Sequence, residues 1–384
     1  MKKERNYIMD KKQKVSLGTC FAVASAWFGT HCGSGFATGA QATSFWVKYG
    51  AHAVYLPIVS AVIMALVAGI MWEICRLYKA ENYKDFANAL FDPYQKIFGT
   101  IYGILFIAIM VMGVSSVFAG AGALMNSWLG IPYVLGVVIT IAITILLTMF
   151  GSQVILKSAS VLSTILIIVI TICTIVGMTS SDAHLGEVVS NWETDYSALP
   201  ALWSALLYAS FQCVILGATA NLVGGFKSKK DSSAAAWIGF AMNGAMMVLL
   251  TYMLLAYYPE TTEETLPVLA ACQRMGMPWL TWSYSLMLFL AFLTTAVSCI
   301  GSLVTRFEVM AKNKITNDTL RRFIFSAVII LVCFGIAQFG LLNIIKKGYS
   351  AVGYLGIPFV IIPVLFIGPR KIKKAREAAK TEQK

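Results

Sequence analysis

The residues with the clearest chemical potential in this chain are hydroxyls in an apolar setting. In the run Leu290-Ala-Phe-Leu-Thr-Thr-Ala-Val-Ser-Cys299, Thr294 and Thr295 stand side by side and Ser298 follows Thr294 by one helical turn. A hard cation such as sodium prefers several oxygen ligands, and hydroxyls with backbone carbonyls supply them without burying a net negative charge. The same hydroxyls also have a routine use, bonding back to the carbonyl one turn earlier. A second cluster is Gly29-Thr-His-Cys-Gly-Ser-Gly35, where three glycines, a threonine, a serine and His31 interrupt the first long apolar segment near its middle. These types weaken a helix and leave peptide groups in need of partners. Broken backbone at membrane depth is tolerated where it packs in protein or lines a polar cavity, so the segment reads as the wall of a binding site. The imidazole of His31 titrates near neutrality and has three uses there: carrying a proton, donating a hydrogen bond to a solute, or holding the helix break together.

A third cluster opens the second half. Trp203-Ser-Ala-Leu-Leu-Tyr-Ala-Ser-Phe-Gln-Cys213 places Tyr208, Ser210 and Gln212 at mid-depth of an apolar run, ahead of Gly217 and the stretch from Asn221 to Gly225. Polar, interrupted helices opening each of two halves match an inverted repeat, in which half-helix ends meet at the midplane around a solute.

The elements that must position these groups are membrane spans. The chain is 58% hydrophobic and 12% charged over 384 residues, with a mean hydropathy of +0.74. Soluble domains carry about a quarter of charged residues. Apolar windows recur at about 16–45, 52–75, 97–128, 132–150, 155–179, 199–225, 233–258, 279–305, 322–343 and 349–368, which predicts ten spans. The third and eighth are long enough to tilt or to project from the bilayer. The expected organisation is a tail at 1–15, one transmembrane domain at 16–369 with halves at about 16–180 and 199–368, and a basic tail at 370–384.

Charge placement gives an orientation. Of the 30 Lys and Arg residues, 26 fall in the tails and alternate loops that ten spans with an inner N-terminus put in the cytoplasm, while seven of the 18 acidic residues fall in the outer loops. Both termini are therefore expected in the cytoplasm and the chain in the cell membrane. The net charge of +12 sits beside spans, where it sets topology and meets anionic headgroups, so no nucleic-acid partner is expected. Met1 to Lys14 is too charged for a signal peptide. Eight cysteines show no CxxC pair and the three histidines lie far apart, so no metal centre of that kind or other cofactor is expected. No reactive cluster marks a membrane enzyme, and no charged ring or repeated filter marks a channel.

These residues resemble a known family. The order of features is similar to the five-plus-five inverted repeat of the neurotransmitter:sodium symporter fold, shared by the amino acid, polyamine and organocation transporter superfamily, and the whole chain resembles the bacterial YkvI-type membrane proteins. Gly29-x-x-Cys-Gly-Ser-Gly35 resembles the family's unwound Gly-x-x-x-Gly-x-Gly segment, and Ala291-Phe-Leu-Thr-Thr295 resembles its Ala-Gly-Leu-Thr-Ser sodium motif. The resemblance implies an all-α membrane protein with interrupted first and sixth helices. It also implies a sodium site made of the carbonyls of Gly29, Cys32 and Ala291 with the hydroxyls of Thr294 and Thr295. Some relatives place an Asn after the last Gly to bind a second ion, and Phe36 stands there in this chain. Proton-coupled relatives can carry a Lys amine midway along the fifth helix, whereas Lys157 lies at the start of that window.

The expected solute site combines His31, Gly33, Ser34 and Gly35 with Tyr208, Ser210, Phe211 and Gln212. Ser115, Ser116 and Phe118 join it because the third helix lines the site in the family, and Trp27 is a further candidate for its wall. The expected activity is alternating-access transport of a small polar or amino-acid-like solute, coupled to sodium. A proton-coupled transporter using His31 and a sensor that binds solute without moving it share these features. The oligomeric state is not legible.

Overall fold

A computed structural model describes residues 15–31, 33–148, 152–180, 182–308 and 315–381. The expected tail at 1–15 therefore lies outside the described residues except for Val15, as does the backbone of Cys32. The side chains of Ser34, Lys157 and Glu308 lie outside them too. Among the described residues the structure is all-helical with no strand.

Among the described residues seven helices are long and apolar enough to cross a membrane. They are α4 (Leu56–Tyr78), α6 (Gln95–Leu129), α10 (Ala198–Ile215) with its continuation to Gly225, α11 (Lys229–Leu255), α13 (Pro278–Glu308), α14 (Asp318–Ala337) and the helical run α15 at 341–366. α7 (Tyr133–Leu146) and α8 (Ser152–Met178) run between them. The two longest are α6, with 35 residues, and α13, with 31, which are the windows whose length predicted tilt or projection.

The first apolar segment is broken. α1 (Leu17–His31) stops at the glycine-rich stretch, and the chain resumes as α2 (Ser34–Ala37) and α3 (Ala40–Phe45) before the 3₁₀ segment Val47–Val54. Gly39 makes the turn between α2 and α3 with φ of 83°, where a Cβ would meet Val268 Cγ2 at 2.9 Å and Leu254 Cδ1 at 3.0 Å. Both left-handed backbone and space thus require glycine there. The sixth span changes later than its polar residues suggest. Tyr208, Ser210 and Gln212 all stand in regular α10, and the helix tightens to 3₁₀ only over Leu216–Gly225.

α1 is fastened to α11 at three levels. Ser16 N–H donates to Asp231 Oδ1 at 3.2 Å, the Trp27 ring lies flush on Gly239, and His31 meets Asn243. A Cβ at Gly239 would stand 2.3 Å from Trp27 Cε3, so only glycine admits that approach. Asp231 also closes a capping box with Ser228 at the start of α11.

The two ends of the bundle differ. One end, here the tail end, carries Val15, α5 (Tyr83–Phe91) and α16 (Gly368–Thr381). α16 is the basic segment expected as a tail, and it lies against α4 as an ordered helix. Glu73 and Arg76 at that end pair bidentately at 2.9 and 2.8 Å. Arg306 lies over the Tyr83 ring, 4.8 Å from its centroid.

The opposite, loop end carries Val47–Val54, α9 (Leu185–Ser190) and α12 (Pro267–Arg274). Here Ala51 N–H donates to Glu193 O at 2.8 Å, and a Cβ on Gly50 would fall 2.1 Å from that oxygen. His184 contacts the Tyr258 carbonyl at 2.5 Å and the Asp182 carbonyl at 3.2 Å. The Tyr258 carbonyl, then that of Asp182 and the nearby Glu260 and Glu187, hold its pKa above the ordinary histidine value against partial burial. A pKa raised on folding stabilises fully below the unfolded value of about 6.5 and is lost as pH rises through the folded value. Amide exchange at 184–193, corrected for intrinsic rate, should therefore accelerate between about pH 6 and about pH 8. His184→Gln should flatten the dependence.

A cavity at the helix break

The break in the first segment opens onto a cavity of about 280 Å³. Gly29, His31, Gly33 and Gly35 form one wall, Ser116 of α6 and Gln212 of α10 a second, and Thr294 and Thr295 of α13 a third. Three clusters far apart in sequence are thus brought to one space. Gly113 of α6 also faces it, and a Cβ there would meet nothing within 4 Å.

His31 anchors the polar wall. Its Nδ1 lies 2.6 Å from Asn243 Oδ1 and its Nε2 2.6 Å from the Tyr208 hydroxyl. The Asn243 amide donates from Nδ2 to Gly239 O at 2.7 Å, so its oxygen faces the imidazole and Nδ1 carries the hydrogen. In the neutral ring Nε2 then accepts from Tyr208, whose oxygen accepts in turn from Gln212 Nε2 at 3.3 Å. Gln41 Oε1 stands 3.5 Å from the same hydroxyl. Both ring nitrogens are engaged, and the geometry favours holding the break together over the other two uses of His31. Removing the Asn243 amide orphans a buried donor, which costs about 1–3 kcal/mol. Asn243→Ala should accordingly lower the melting temperature of the detergent-purified protein, and Asn243→Asp should recover part of the loss.

The hydroxyl wall is simpler. Thr294 Oγ1 donates to Ala291 O at 3.0 Å, the routine back-bond, yet keeps its lone pairs. Thr295 Oγ1 faces Gly33, 3.9 Å from the position a Cβ would take there. Ser298 and Ser302 continue this wall toward the tail end. Gly29, Thr294 and Thr295 thus line one space, Ala291 is buried just behind it, and Cys32 lies outside the described residues.

Some expected residues stand elsewhere. Ser210 donates to Gly353 O of α15 at 2.7 Å and faces away. Ser115 bonds back to Val111 O at 2.8 Å, and Phe118 is fully buried in the core. Trp27 packs on Gly239 and edge-on to Trp72. Tyr208 and Phe211 act from behind the wall. With Phe45, Trp46 and Tyr349 they form a cluster of tilted and edge-on rings whose centroids are 4.3 Å apart for Trp46 and Tyr208, and 5.0 Å for Phe211 and Tyr349. Sequence reasoning missed Gln41, Asn243 and Tyr349, the last hydrogen-bonded to Ser116 Oγ at 3.0 Å.

The cavity is closed on one side only. The aromatic cluster and α12, whose Val268 N–H donates to Thr38 O at 3.1 Å, cover the loop end. Thr30, Ala218, Ser298 and Ser302 are exposed toward the tail end.

Structures of similar shape are membrane transporters. The inward-facing conformation of Mhp1 superposes with a TM-score of 0.64 at 13% identity, covering 97% of this chain and 96% of that one. MhsT in complex with L-phenylalanine gives 0.59 at 15% identity, covering 96% and 100%. The chain has a membrane-transporter fold. In sequence, it is 30% identical over 137 residues to the membrane protein YkvI of Bacillus subtilis (strain 168), a match spanning 35% of this chain and 38% of that relative. No family model matches. The resemblance to YkvI-type proteins read from the sequence is thus met by a relative of that kind. The apolar helices and this fold make the chain a membrane protein.

Proposed function

We propose that the chain is a secondary active transporter, moving a small polar or amino-acid-like solute across the cell membrane by alternating access with sodium as the coupling ion. In this reading the first segment and α7 and α8 complete ten spans in a five-plus-five inverted repeat, both termini are cytoplasmic, and the tail end is the cytoplasmic end. The observation that carries it is a cavity that joins broken backbone, a polar wall and a hydroxyl wall, with Thr30, Ala218, Ser298 and Ser302 of its lining exposed.

The parts divide the work by chemistry. Sodium is held by the Gly29, Cys32 and Ala291 carbonyls with the Thr294 and Thr295 hydroxyls, bridging α1 to α13. The solute lies between Gly33 to Gly35, Ser116 and Gln212, with Gln41 above it. Peptide groups freed at the break bind polar or charged ends of the solute. The aromatic cluster is the outer gate, shut in this conformation. Each ligand favours the occluded state, so by linkage sodium tightens solute binding by the factor by which solute tightens sodium binding.

The test is thermal stability of the purified protein across small metabolites, each in sodium and in matched choline. A solute should raise the melting temperature in sodium and do so weakly in choline. Gly113→Leu, which fills the cavity from a position free of neighbours, should keep the parent's stability and abolish that shift. Stabilisation that ignores sodium would defeat the coupling, and a panel without any stabilising solute would defeat the transport reading.

A further inference from the structure

A second, larger concavity lies outside the bundle at the tail end, where α4, α11 and α16 meet, with a volume of about 550 Å³. Its floor is made of small residues, Gly69 on α4 and Ala236 on α11, which let the two helices approach: a Cβ on Gly69 would stand 3.3 Å from that of Ala236. Its chemistry is graded along its length. Lys229, Lys373 and Arg376 line the mouth, whereas Leu66, Ile70 and Trp237 line the inner part. Eight residues of α11 separate Lys229 from Trp237, or about 12 Å of axial rise. Leu66 and Trp237 are 46% and 51% exposed, so the inner part opens sideways toward lipid rather than into the protein.

We propose that this groove is a binding site for an anionic phospholipid, with the headgroup phosphate among Lys229, Lys373 and Arg376 and an acyl chain along Leu66, Ile70 and Trp237. The charge at one end and hydrocarbon at the other match an amphiphile in order and in scale. The acidic groups that face the mouth are already engaged. Glu73 accepts from Arg76, Ser232 and Arg376, and Glu377 stands 3.9 Å from Lys373. Arg370 and Lys374 of α16 and Lys230 of α11 add to the positive charge of this end without lining the groove, while Lys371 is turned to Asp92. Basic hollows beside membrane helices and basic surface helices attract anionic lipid headgroups by this electrostatics.

The lipid would act as a clasp. α16 is held to α4 by Arg376 donating to Glu73 at 2.6 Å and by Tyr78 donating to Lys371 O at 3.2 Å. A phosphate between Lys229 of α11 and Lys373 of α16 ties α16 to the second helix as well. The inference needs only that the chain is in a membrane, and stands independently of the solute and of sodium.

The experiment is native mass spectrometry of the full chain in detergent, titrated with phosphatidylglycerol, phosphatidylcholine or inorganic phosphate, paired with melting temperatures. The expected result is one tightly held phosphatidylglycerol that raises the melting temperature, with weaker phosphatidylcholine binding and no effect of millimolar phosphate. Lys229→Gln with Lys373→Gln, both exposed, should melt like the parent without lipid and bind phosphatidylglycerol about 30-fold more weakly. Trp237→Ala should weaken binding of both lipids and leave their ratio unchanged. Equal affinity for the two lipids, or unchanged binding by the lysine variant, overturns the proposal. Protection by inorganic phosphate equal to that by phosphatidylglycerol overturns it in favour of a free-anion site. If the lysine variant does not fold, the parent's preference between the two lipids decides alone.

Discussion

Thr294→Ala combined with Thr295→Ala is expected to lower the affinity for sodium on the order of 100-fold, and with it the sodium dependence of solute binding. Each hydroxyl removed takes an oxygen away from a cation, and an interaction of that kind with a charged group contributes about 1.5–3 kcal/mol. The fold should survive the change. Both side chains lie at the cavity rather than in the packed core, and alanine has the higher helix propensity. Thr295→Ser keeps the oxygen and should stay near the parent, which separates ligation from packing. The measurement is the sodium concentration that half-saturates solute-induced stabilisation. A variant that retains the parent's value would place the ion elsewhere and leave the hydroxyls to their back-bonds.

Removal of Glu73 is expected to be the most destabilising single change at the tail end. Its carboxylate is 2% exposed and accepts from Arg76 through two nitrogens, from Arg376 at 2.6 Å and from Ser232 at 3.1 Å. Glu73→Leu takes the carboxylate from the equally buried Arg76 guanidinium, and breaking a buried pair from one side costs about 3–5 kcal/mol. Glu73→Leu with Arg76→Met removes both charges and should recover much of that loss. Arg376→Gln should cost less, since its side chain is 32% exposed and the Glu73–Arg76 pair remains. Melting temperatures and yields of the three variants test the ordering. If Glu73→Leu melts like Arg376→Gln, the pair contributes little.

The parts of the site legible in sequence were those whose residue types are costly in a membrane without a reason. Glycines around His31 and paired hydroxyls at Thr294 are of that kind, and they face one cavity. Adjacent polar residues were harder to sort, because the side on which a helical residue points depends on angle. Ser210 and Gln212 differ by two positions, about 200° around a helix, so one faces the cavity and the other faces α15. The same geometry splits Ser115 from Ser116 on α6. Asn243 and Tyr349 were invisible for another reason. Each gains its meaning from a partner more than 200 positions away in sequence, His31 for one and Ser116 for the other. The fold class followed from hydropathy, whereas the sixth segment's polar residues suggested an interruption about one turn before the helix changes.

The three-level attachment of α1 to α11 carries a mechanical consequence. A strut pinned at its foot by Asp231, at its waist by Gly239 and at its head by Asn243 can neither slide along nor roll upon its neighbour. The pair then swings as one lever, and its fulcrum falls at the bend at Gly33, ahead of α2. Probes on α1 and α11 should keep a constant separation in every state of the protein, while a probe on α3 should move relative to both.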